Sequence, residues 1–212
     1  MNKAMLKIII VSGVLAVVRL ADAHQAIFLV RHAEDVRSKD VVDRPLTEAG
    51  QRRATLLASV LKDAGINAIF TSSLQRAVKT AEPLAVASRI EPKPLPQLTT
   101  KFDKSDMENF VQLLRSQHRD SIVLFVGHSN TVPALIKALA RTDEIKIPET
   151  EYDNLFVLFP KSEGARRFYV LGLTNLLIVN ILSTLSTITN KKGRHGRLNP
   201  SPRHDYQAKI YG

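Results

Sequence analysis

Short apolar runs rich in β-branched and aromatic residues alternate with segments of helical periodicity from His24 onward. This alternation is typical of an α/β domain built around a largely parallel sheet. Five strands are predicted, over residues 26–31, 68–71, 122–126, 155–159 and 168–173. The run 122–126 is apolar at every position, as expected of a strand that helices cover on both faces.

Four helices are predicted between the strands from the spacing of their apolar residues. They cover about 46–64, 73–87, 103 or 105 to 118, and 130–140. Thr47 is placed to cap the first helix and Gly65 to end it. Ser72 and Ser73 can cap the second helix, which would carry Arg76 in its first turn.

The first 23 residues differ in character from the rest of the chain. Lys3 and Lys7 precede an apolar run over 8–18, which ends at Ala21-Asp22-Ala23. A basic start, a short apolar run and a small-x-small site are typical of a secretory signal peptide. The run is about half as long as the ~20 residues of a membrane-spanning helix. We therefore expect a signal peptide over 1–23 and a periplasmic or secreted protein that begins at His24; a buried helix or retained anchor is the alternative.

The C-terminal part divides the chain further, into a domain over 24–175 and an extension over 176–212. No charged residue occurs between Val170 and Thr189, and Lys191-Lys192-Gly193-Arg194 follows. Basic residues after an uncharged segment fit a membrane span. The many Thr, Ser and Asn side chains in this segment instead favour a last strand followed by an extension of unknown order, so membrane contact stays open.

Charge and cysteine content exclude several classes of function. The net charge is +10, but residues 191–212 hold six basic side chains against one acidic, and residues 1–23 hold three against one. The remaining domain is therefore near +3, and no motif suggests nucleic-acid binding. The absence of cysteine excludes a cysteine nucleophile and thiolate metal sites. Four histidines show no spacing typical of metal ligands, namely His24, His118, His195 and His204. No metal site is therefore expected.

Basic side chains follow three of the predicted strands. Arg31 and His32 follow the first strand, Arg76 the second, and His128 the strand over 122–126. Ligands of open α/β sheets bind outside the carboxyl ends of the strands, so we expect these residues to meet. Guanidinium groups suit phosphate oxygens, and a neutral imidazole is a nucleophile towards phosphorus near pH 7. The pattern predicts that His32 accepts a phosphoryl group held by Arg31, Arg76 and, when protonated, His128.

Three motifs carry a resemblance to a known family. Residues 28–34 (FLVRHAE) resemble the Arg-His-Gly/Ala-Glu signature of the histidine phosphatase, or phosphoglycerate-mutase-like, superfamily, branch 1. Residues 71–81 are similar to its second motif and residues 126–133 to its third. The resemblance implies a three-layer α/β/α sandwich, a His32 nucleophile and a phosphate pocket of Arg31, Arg76 and His128, without metal or organic cofactor.

The chain departs from the family pattern at positions that matter for substrate. Ser38 replaces an Asn that many members place on the phosphate, and Arg37 beside it could substitute as a donor. The usual Glu proton donor after the second motif is missing; Asp103 is the nearest carboxylate and Asp106 the next, although either could be a helix N-cap. Ser129, which directly follows His128, is a further candidate substrate-binding residue. Its position after His128 argues against the acid phosphatase and phytase branch, which has a His-Asp pair there.

These features predict an exported phosphatase that hydrolyses a small-molecule or surface-displayed phosphate through a phosphohistidine on His32. Without a good acid, substrates with easy leaving groups would be favoured. A phosphohistidine protein phosphatase or a mutase is the alternative within the family. A catalytically weak protein that binds a phosphate or an envelope component is the alternative from another class. The sequence leaves the substrate and the oligomeric state open.

Overall fold

A seven-stranded sheet forms the centre of the protein. The computed structural model describes residues 26–38, 40–41, 43–141, 145–159, 167–173 and 209–211. The strands are β1 (Ala26–Arg31), β2 (Ala68–Ser72), β3 (Lys93–Leu95), β4 (Ile122–Gly127), β5 (Asn154–Phe159), β6 (Arg167–Gly172) and β7 (Lys209–Tyr211). Their order across the sheet is β3-β2-β4-β1-β5-β6-β7. The first four strands are parallel, and β5, β6 and β7 add antiparallel pairs.

Helices cover both faces of this sheet, as a three-layer sandwich requires. They are α1 (Glu48–Leu61), α2 (Gln75–Ser88), α3 (Lys104–Gln117) and α4 (Thr131–Ala140). Leu57 of α1 and Leu84 of α2 pack with β4 residue Leu124 on one face. Phe110 of α3 and Leu135 of α4 belong to the core on the other face. The predicted α/β/α architecture is confirmed.

The helix ends show where local sequence was sufficient and where it was not. Thr47 caps α1 by accepting from the Gly50 N–H, as predicted. The helix ends at Leu61, before Gly65, whose positive φ of 72° ends the turn that follows. The prediction that Ser72 and Ser73 cap α2 is wrong, because Leu74 holds the cap position without a side-chain bond. The carboxylate of Asp43 instead accepts from the Gln75 N–H, at 2.6 Å.

Several predictions for the chain ends concern residues outside the described ranges. The signal peptide over 1–23 lies there, as does nearly all of the extension over 176–212 and most of the uncharged segment 170–189. Strand β7 extends the sheet beyond β6, which the sequence had suggested as the last strand. Within the described ranges no helix has the length and hydropathy of a membrane span.

Candidate active site

Two neighbouring strands bring the first and third motifs together. Strands β1 and β4 run parallel in a register that pairs Arg31 with Gly127. The next residues, His32 and His128, therefore leave the same edge of the sheet side by side. The His32 N–H donates to the Gly127 carbonyl at 2.8 Å, and the two imidazole centroids lie 5.2 Å apart, edge to face.

The backbone fixes the tautomer of His32. Its Nδ1 lies 2.8 Å from the Ala33 carbonyl oxygen, which can only accept, so Nδ1 carries the proton. Burial, and then the positive charges of Arg76, Arg31 and Arg44, lower the pKa of His32 to about 3, although the Ala33 bond opposes the shift. The ring is therefore neutral at pH 7, and Nε2 keeps the lone pair that a nucleophile needs.

His128 is the more deeply buried of the two histidines, with 1% of its surface exposed. Its Nε2 lies 2.8 Å from the Ser72 hydroxyl, at the end of β2. Burial first, and then the proximity of His32 and Arg76, lower the pKa of His128 to about 3. Burial disfavours the imidazolium, so the protonated form of His128, on which its predicted role as a donor was conditional, is not populated near pH 7. A neutral ring can still donate from whichever nitrogen carries the proton.

Arg31 is fixed by the loop that precedes β5. Its Nη1 donates to the carbonyls of Pro148, at 2.9 Å, and Glu151, at 3.3 Å. Its Nη2 lies 2.7 Å from Glu149 Oε2. The guanidinium carbon also lies 4.3 Å from the ring centroid of Tyr152. These contacts hold the guanidinium of a side chain that is only 5% exposed.

Arg76 depends on a buried carboxylate. Asp35 Oδ2 lies 2.7 Å from Arg44 Nε and 3.8 Å from Arg76 Nε. Asp35 and Arg76 are both almost fully buried. A single carboxylate thus offsets part of the charge of two guanidinium groups, and it holds Arg76 at the start of α2.

Thr80 joins the first motif to the second. Its hydroxyl donates to the Arg76 carbonyl at 2.7 Å and accepts from the Ala33 N–H at 2.9 Å. The residue after the nucleophile is therefore tied to the helix that carries Arg76. The first N–H groups of α2 and α4 donate to the side chains of Asp43 and Asn130.

Several buried nitrogen atoms of the pocket make no hydrogen bond within the described part of the chain. Arg31 Nε, Arg76 Nε and Nη1, and His128 Nδ1 have no hydrogen-bond partner among the described residues. Buried polar groups are normally paired, so such a group of basic donors marks a binding site for an anion with several oxygens. Phosphate has this chemistry. The structure thus brings together Arg31, His32, Arg76 and His128, as the sequence predicted.

The other predicted binding residues lie in more varied places. Ser129 donates from its hydroxyl to Glu149 Oε1, beside the Arg31 contact. Arg37 is exposed and donates to the Glu149 carbonyl at 2.8 Å, so it contacts the loop over Arg31. Ser38 accepts from the Asp40 N–H at 3.2 Å. This contact lies within the loop. It does not support a role for Ser38 in binding phosphate, the role of the Asn that many family members have at this position.

Asp103 was predicted to be either the proton donor or a helix N-cap, and in the structure it is the N-cap of α3. Its Oδ1 accepts from the Asp106 N–H and the Ser105 hydroxyl. The Asp103 N–H in turn donates to Asp106 Oδ2, which completes a capping box. The Asp106 N–H and the Ser105 hydroxyl lower the pKa of Asp103 below its ordinary value. These bonds favour the ionised carboxylate, which caps the helix. The role of Asp103 as a proton donor stays a prediction.

Sequence reasoning missed four residues in and around the pocket. Glu149 and Tyr152 reach Arg31 from a loop more than a hundred residues later in the chain, where no motif marks them. Asp35 immediately follows the first motif but carries no pattern of its own. Arg53 binds Glu34 and Asp153 through three of its nitrogens, and no motif marks it either. The described ranges contain no group of three or more His, Asp or Glu side chains placed to hold a metal ion.

Comparison with known proteins supports the family recognised from the motifs. Residues 27–100 match the family model described as the histidine phosphatase superfamily (branch 1). This segment contains the first two motifs, and the recognition is confirmed there. The third motif, 126–133, lies beyond the matched segment but adjoins the first motif in the fold.

Curated proteins match the chain over less than a third of its length. Fructose-2,6-bisphosphatase TIGAR B of Danio rerio is 36% identical over 63 residues, which are 27% of this chain and 24% of that protein. Probable phosphoglycerate mutase GpmB of Yersinia enterocolitica is 42% identical over 66 residues, 29% of this chain and 31% of that protein. The matched segment thus spans about a quarter to a third of these relatives.

Solved structures share the fold over a larger part of the chain. The protein histidine phosphatase SixA, solved with tungstate, has a TM-score of 0.60 at 23% identity, covering 72% of this chain and 99% of that chain. A mycobacterial glucosyl-3-phosphoglycerate phosphatase, solved with inorganic phosphate, has a TM-score of 0.51 at 16% identity, covering 63% and 89%. At these identities the likeness establishes the fold.

The first prediction concerns the carboxylate of Asp35. An Asp35→Asn variant leaves Arg44 and Arg76 without their shared counter-charge, so we expect the free energy of unfolding to fall by about 3 kcal/mol. Because Arg76 loses its position, phosphate affinity measured by calorimetry should fall as well. Asp40→Asn, an exposed change in the same loop, is the matched control. Equal stability of the two variants would contradict the account.

The second prediction concerns the charge state of His32. With its pKa lowered to about 3, the ring should stay neutral and protonated at Nδ1 from about pH 8 down to about pH 5. Nitrogen-15 NMR of the histidine side chains measures this, and a His32→Gln spectrum assigns the resonance. A titration midpoint near the ordinary value of about 6.5 would show that the site does not hold the neutral ring.

Proposed function

We propose that this chain is a phosphatase that takes a phosphoryl group onto His32 and releases it to water. One observation carries the proposal: the Ala33 carbonyl holds the proton of His32 on Nδ1, so Nε2 remains a nucleophile. Around it stand the buried, unpartnered donors of Arg31, Arg76 and His128. This arrangement suits a phosphoryl group, whose charge lies on three oxygens while it moves.

The reaction divides into two displacements at phosphorus. In the first, the Nε2 lone pair of His32 forms a bond to phosphorus while the bond to the leaving oxygen breaks, and that oxygen gains a proton. In the second, water attacks the phosphorus, its proton passes to a base, and the N–P bond breaks. Guanidinium groups that stay in place through both steps stabilise the charge without reorganising.

The names of the relatives support a phosphate-bearing substrate. They describe a fructose-2,6-bisphosphatase, a phosphoglycerate mutase and a glucosyl-3-phosphoglycerate phosphatase, each of which acts on a phosphorylated molecule. We infer the same broad class for this chain, with hydrolysis as the reaction.

A cavity beside the phosphate pocket favours a small-molecule substrate. It measures about 690 Å³ and shares Ser129 and Glu149 with the candidate site. This volume is in the range of ordinary small-molecule sites, about 300–1,000 Å³. Lys137 and Lys146 line it together with apolar side chains. A phosphohistidine protein phosphatase remains the second candidate, because the fold is similar to that of SixA.

The third prediction tests hydrolysis directly. Purified protein is assayed against a panel that includes sugar phosphates, acyl phosphates, a phosphoglycerate and a phosphohistidine peptide. Replacing the nucleophile in His32→Ala should lower kcat by about 10³-fold or more. The control is His118→Ala. His118 is the C-cap residue of α3 and lies outside the three motifs, so this variant should retain activity.

Each outcome of this assay has a distinct meaning. Turnover by wild type and His118→Ala, but not by His32→Ala, supports the phosphatase, and the best substrate separates the small-molecule, phosphohistidine and mutase alternatives. If neither wild type nor His32→Ala hydrolyses any compound while both bind phosphate esters, the protein is a binding protein and the proposal fails.

Export is the second part of the proposed function. It rests on the basic, apolar and small-residue pattern of residues 1–23. The fourth prediction is that the full chain, produced in a Gram-negative host, enters the periplasm with His24 as its first residue. N-terminal sequencing of fractionated cells measures this, and Ala21→Arg and Ala23→Arg together should block cleavage. An unprocessed protein in the cytoplasmic fraction would contradict export.

A further inference from the structure

Glu149 places a carboxylate against two residues of the candidate phosphate pocket. Its Oε2 lies 2.7 Å from Arg31 Nη2, and its Oε1 accepts from the Ser129 hydroxyl. The Glu149 side chain is nevertheless 70% exposed, whereas that of Arg31 is 5% exposed. The backbone around it is held independently, because Arg37 donates to its carbonyl. The carboxylate can therefore leave Arg31 without unfolding the loop.

A phosphate would require the same edge of Arg31. Nη1 donates to the carbonyls of Pro148 and Glu151, so Nε and Nη2 are the donors that remain for a ligand. Nε is buried and without a partner among the described residues. Two-point binding of phosphate through Nε and Nη2 is the favoured geometry of a guanidinium. Phosphate and Glu149 thus compete for Nη2, or share it as close neighbours.

Two negative groups this close cannot both keep their full charge. The Ser129 hydrogen bond, and then the charge of Arg31, hold the pKa of Glu149 below its ordinary value. Phosphate at Arg31 would weaken that support and add a negative neighbour, and both effects raise the pKa of a carboxyl. Arg37 and His32 also lie near Glu149, and Lys137 and Lys146 line the same cavity. Phosphate binding therefore favours the protonated carboxyl, which is the form of an acid catalyst.

The position of Glu149 also suits the leaving group. Glu149 and Ser129 line the cavity of about 690 Å³, so the carboxyl lies between Arg31 and this cavity. Asp103, the candidate from the sequence, has its carboxylate engaged in the capping box of α3. Glu149 is therefore better placed than Asp103 to act as the acid.

We propose that Glu149 is the proton donor of this site, released from Arg31 and Ser129 by the phosphate of the substrate itself. The inference rests on the proposed function. As His32 Nε2 bonds to phosphorus and the ester bond breaks, the Glu149 proton passes to the leaving oxygen. In the second step the Glu149 carboxylate takes a proton from the attacking water, so the group returns to its protonated form.

The fifth prediction uses leaving groups of different acidity. An alkyl phosphate needs a proton on its leaving oxygen, whereas a nitrophenyl phosphate needs little help. In Glu149→Gln, kcat for the alkyl ester should fall by about 10²-fold or more. The fall in kcat for the nitrophenyl ester should be smaller by about tenfold or more. Glu108→Gln, which removes one exposed carboxylate from α3, is the charge-matched control and should behave like wild type.

A binding measurement tests the exchange at Arg31 without requiring turnover. Because Glu149→Gln removes the competitor for Nη2, calorimetry should give tighter binding of inorganic phosphate than wild type, by about tenfold. Glu108→Gln should match wild type. Unchanged or weaker phosphate binding by Glu149→Gln would overturn the exchange.

The two experiments separate this inference from the proposed function. Equal losses of kcat on both esters in Glu149→Gln would overturn the proton-donor role while leaving the phosphatase intact, since Glu149 would then only position Arg31. If wild type hydrolyses neither ester, the donor role fails, the substrate panel decides the proposed function, and the binding result decides whether phosphate displaces Glu149.

Discussion

The parallel register of β1 and β4 is the constraint on which the site depends. It pairs Arg31 with Gly127 and so delivers His32 and His128 to the same edge of the sheet. A parallel strand pair fixes this neighbourhood through its backbone ladder, not through the side chains that use it. A slip of one residue would send one histidine to the opposite face of the sheet. Because both strands are buried on both faces, such a slip would also move each apolar side chain into the core of the opposite face, so the packing of the two cores protects the site.

The fold also meets the electrostatic cost of holding several cations below the surface. Asp35 offsets Arg44 and Arg76, while Glu34 and Asp153 hold Arg53 next to the first motif. The two histidines avoid this cost by remaining neutral, since burial lowers the pKa of each to about 3. The remaining positive charge stands on guanidinium groups that cannot lose it. The pocket therefore favours an anionic ligand. Binding of such a ligand would offset the free-energy cost of burying polar atoms without hydrogen bonds.

The parts of this arrangement that the sequence predicted are those written in local patterns. Strands and helices follow from apolar spacing, and Arg31, His32, Arg76 and His128 follow from their places after strands. The parts it missed depend on contacts between distant segments. Asp43 caps a helix 32 residues later, and Glu149 reaches Arg31 across 118 residues. No periodicity marks either residue, because loops carry no repeating face; only the assembled fold determines what their side chains meet.

The central claim is that the phosphoryl group passes through Nε2 of His32. Its most direct test is to quench the reaction with alkali during turnover and to map the phosphorylated peptide, with phosphorus NMR to identify an N–P bond. The account predicts one alkali-stable, acid-labile phosphate on the peptide that contains His32, bonded at Nε2 because Nδ1 is held by Ala33. Phosphate on another residue, or turnover that continues at full rate with no phosphorylated protein at any time, would contradict it.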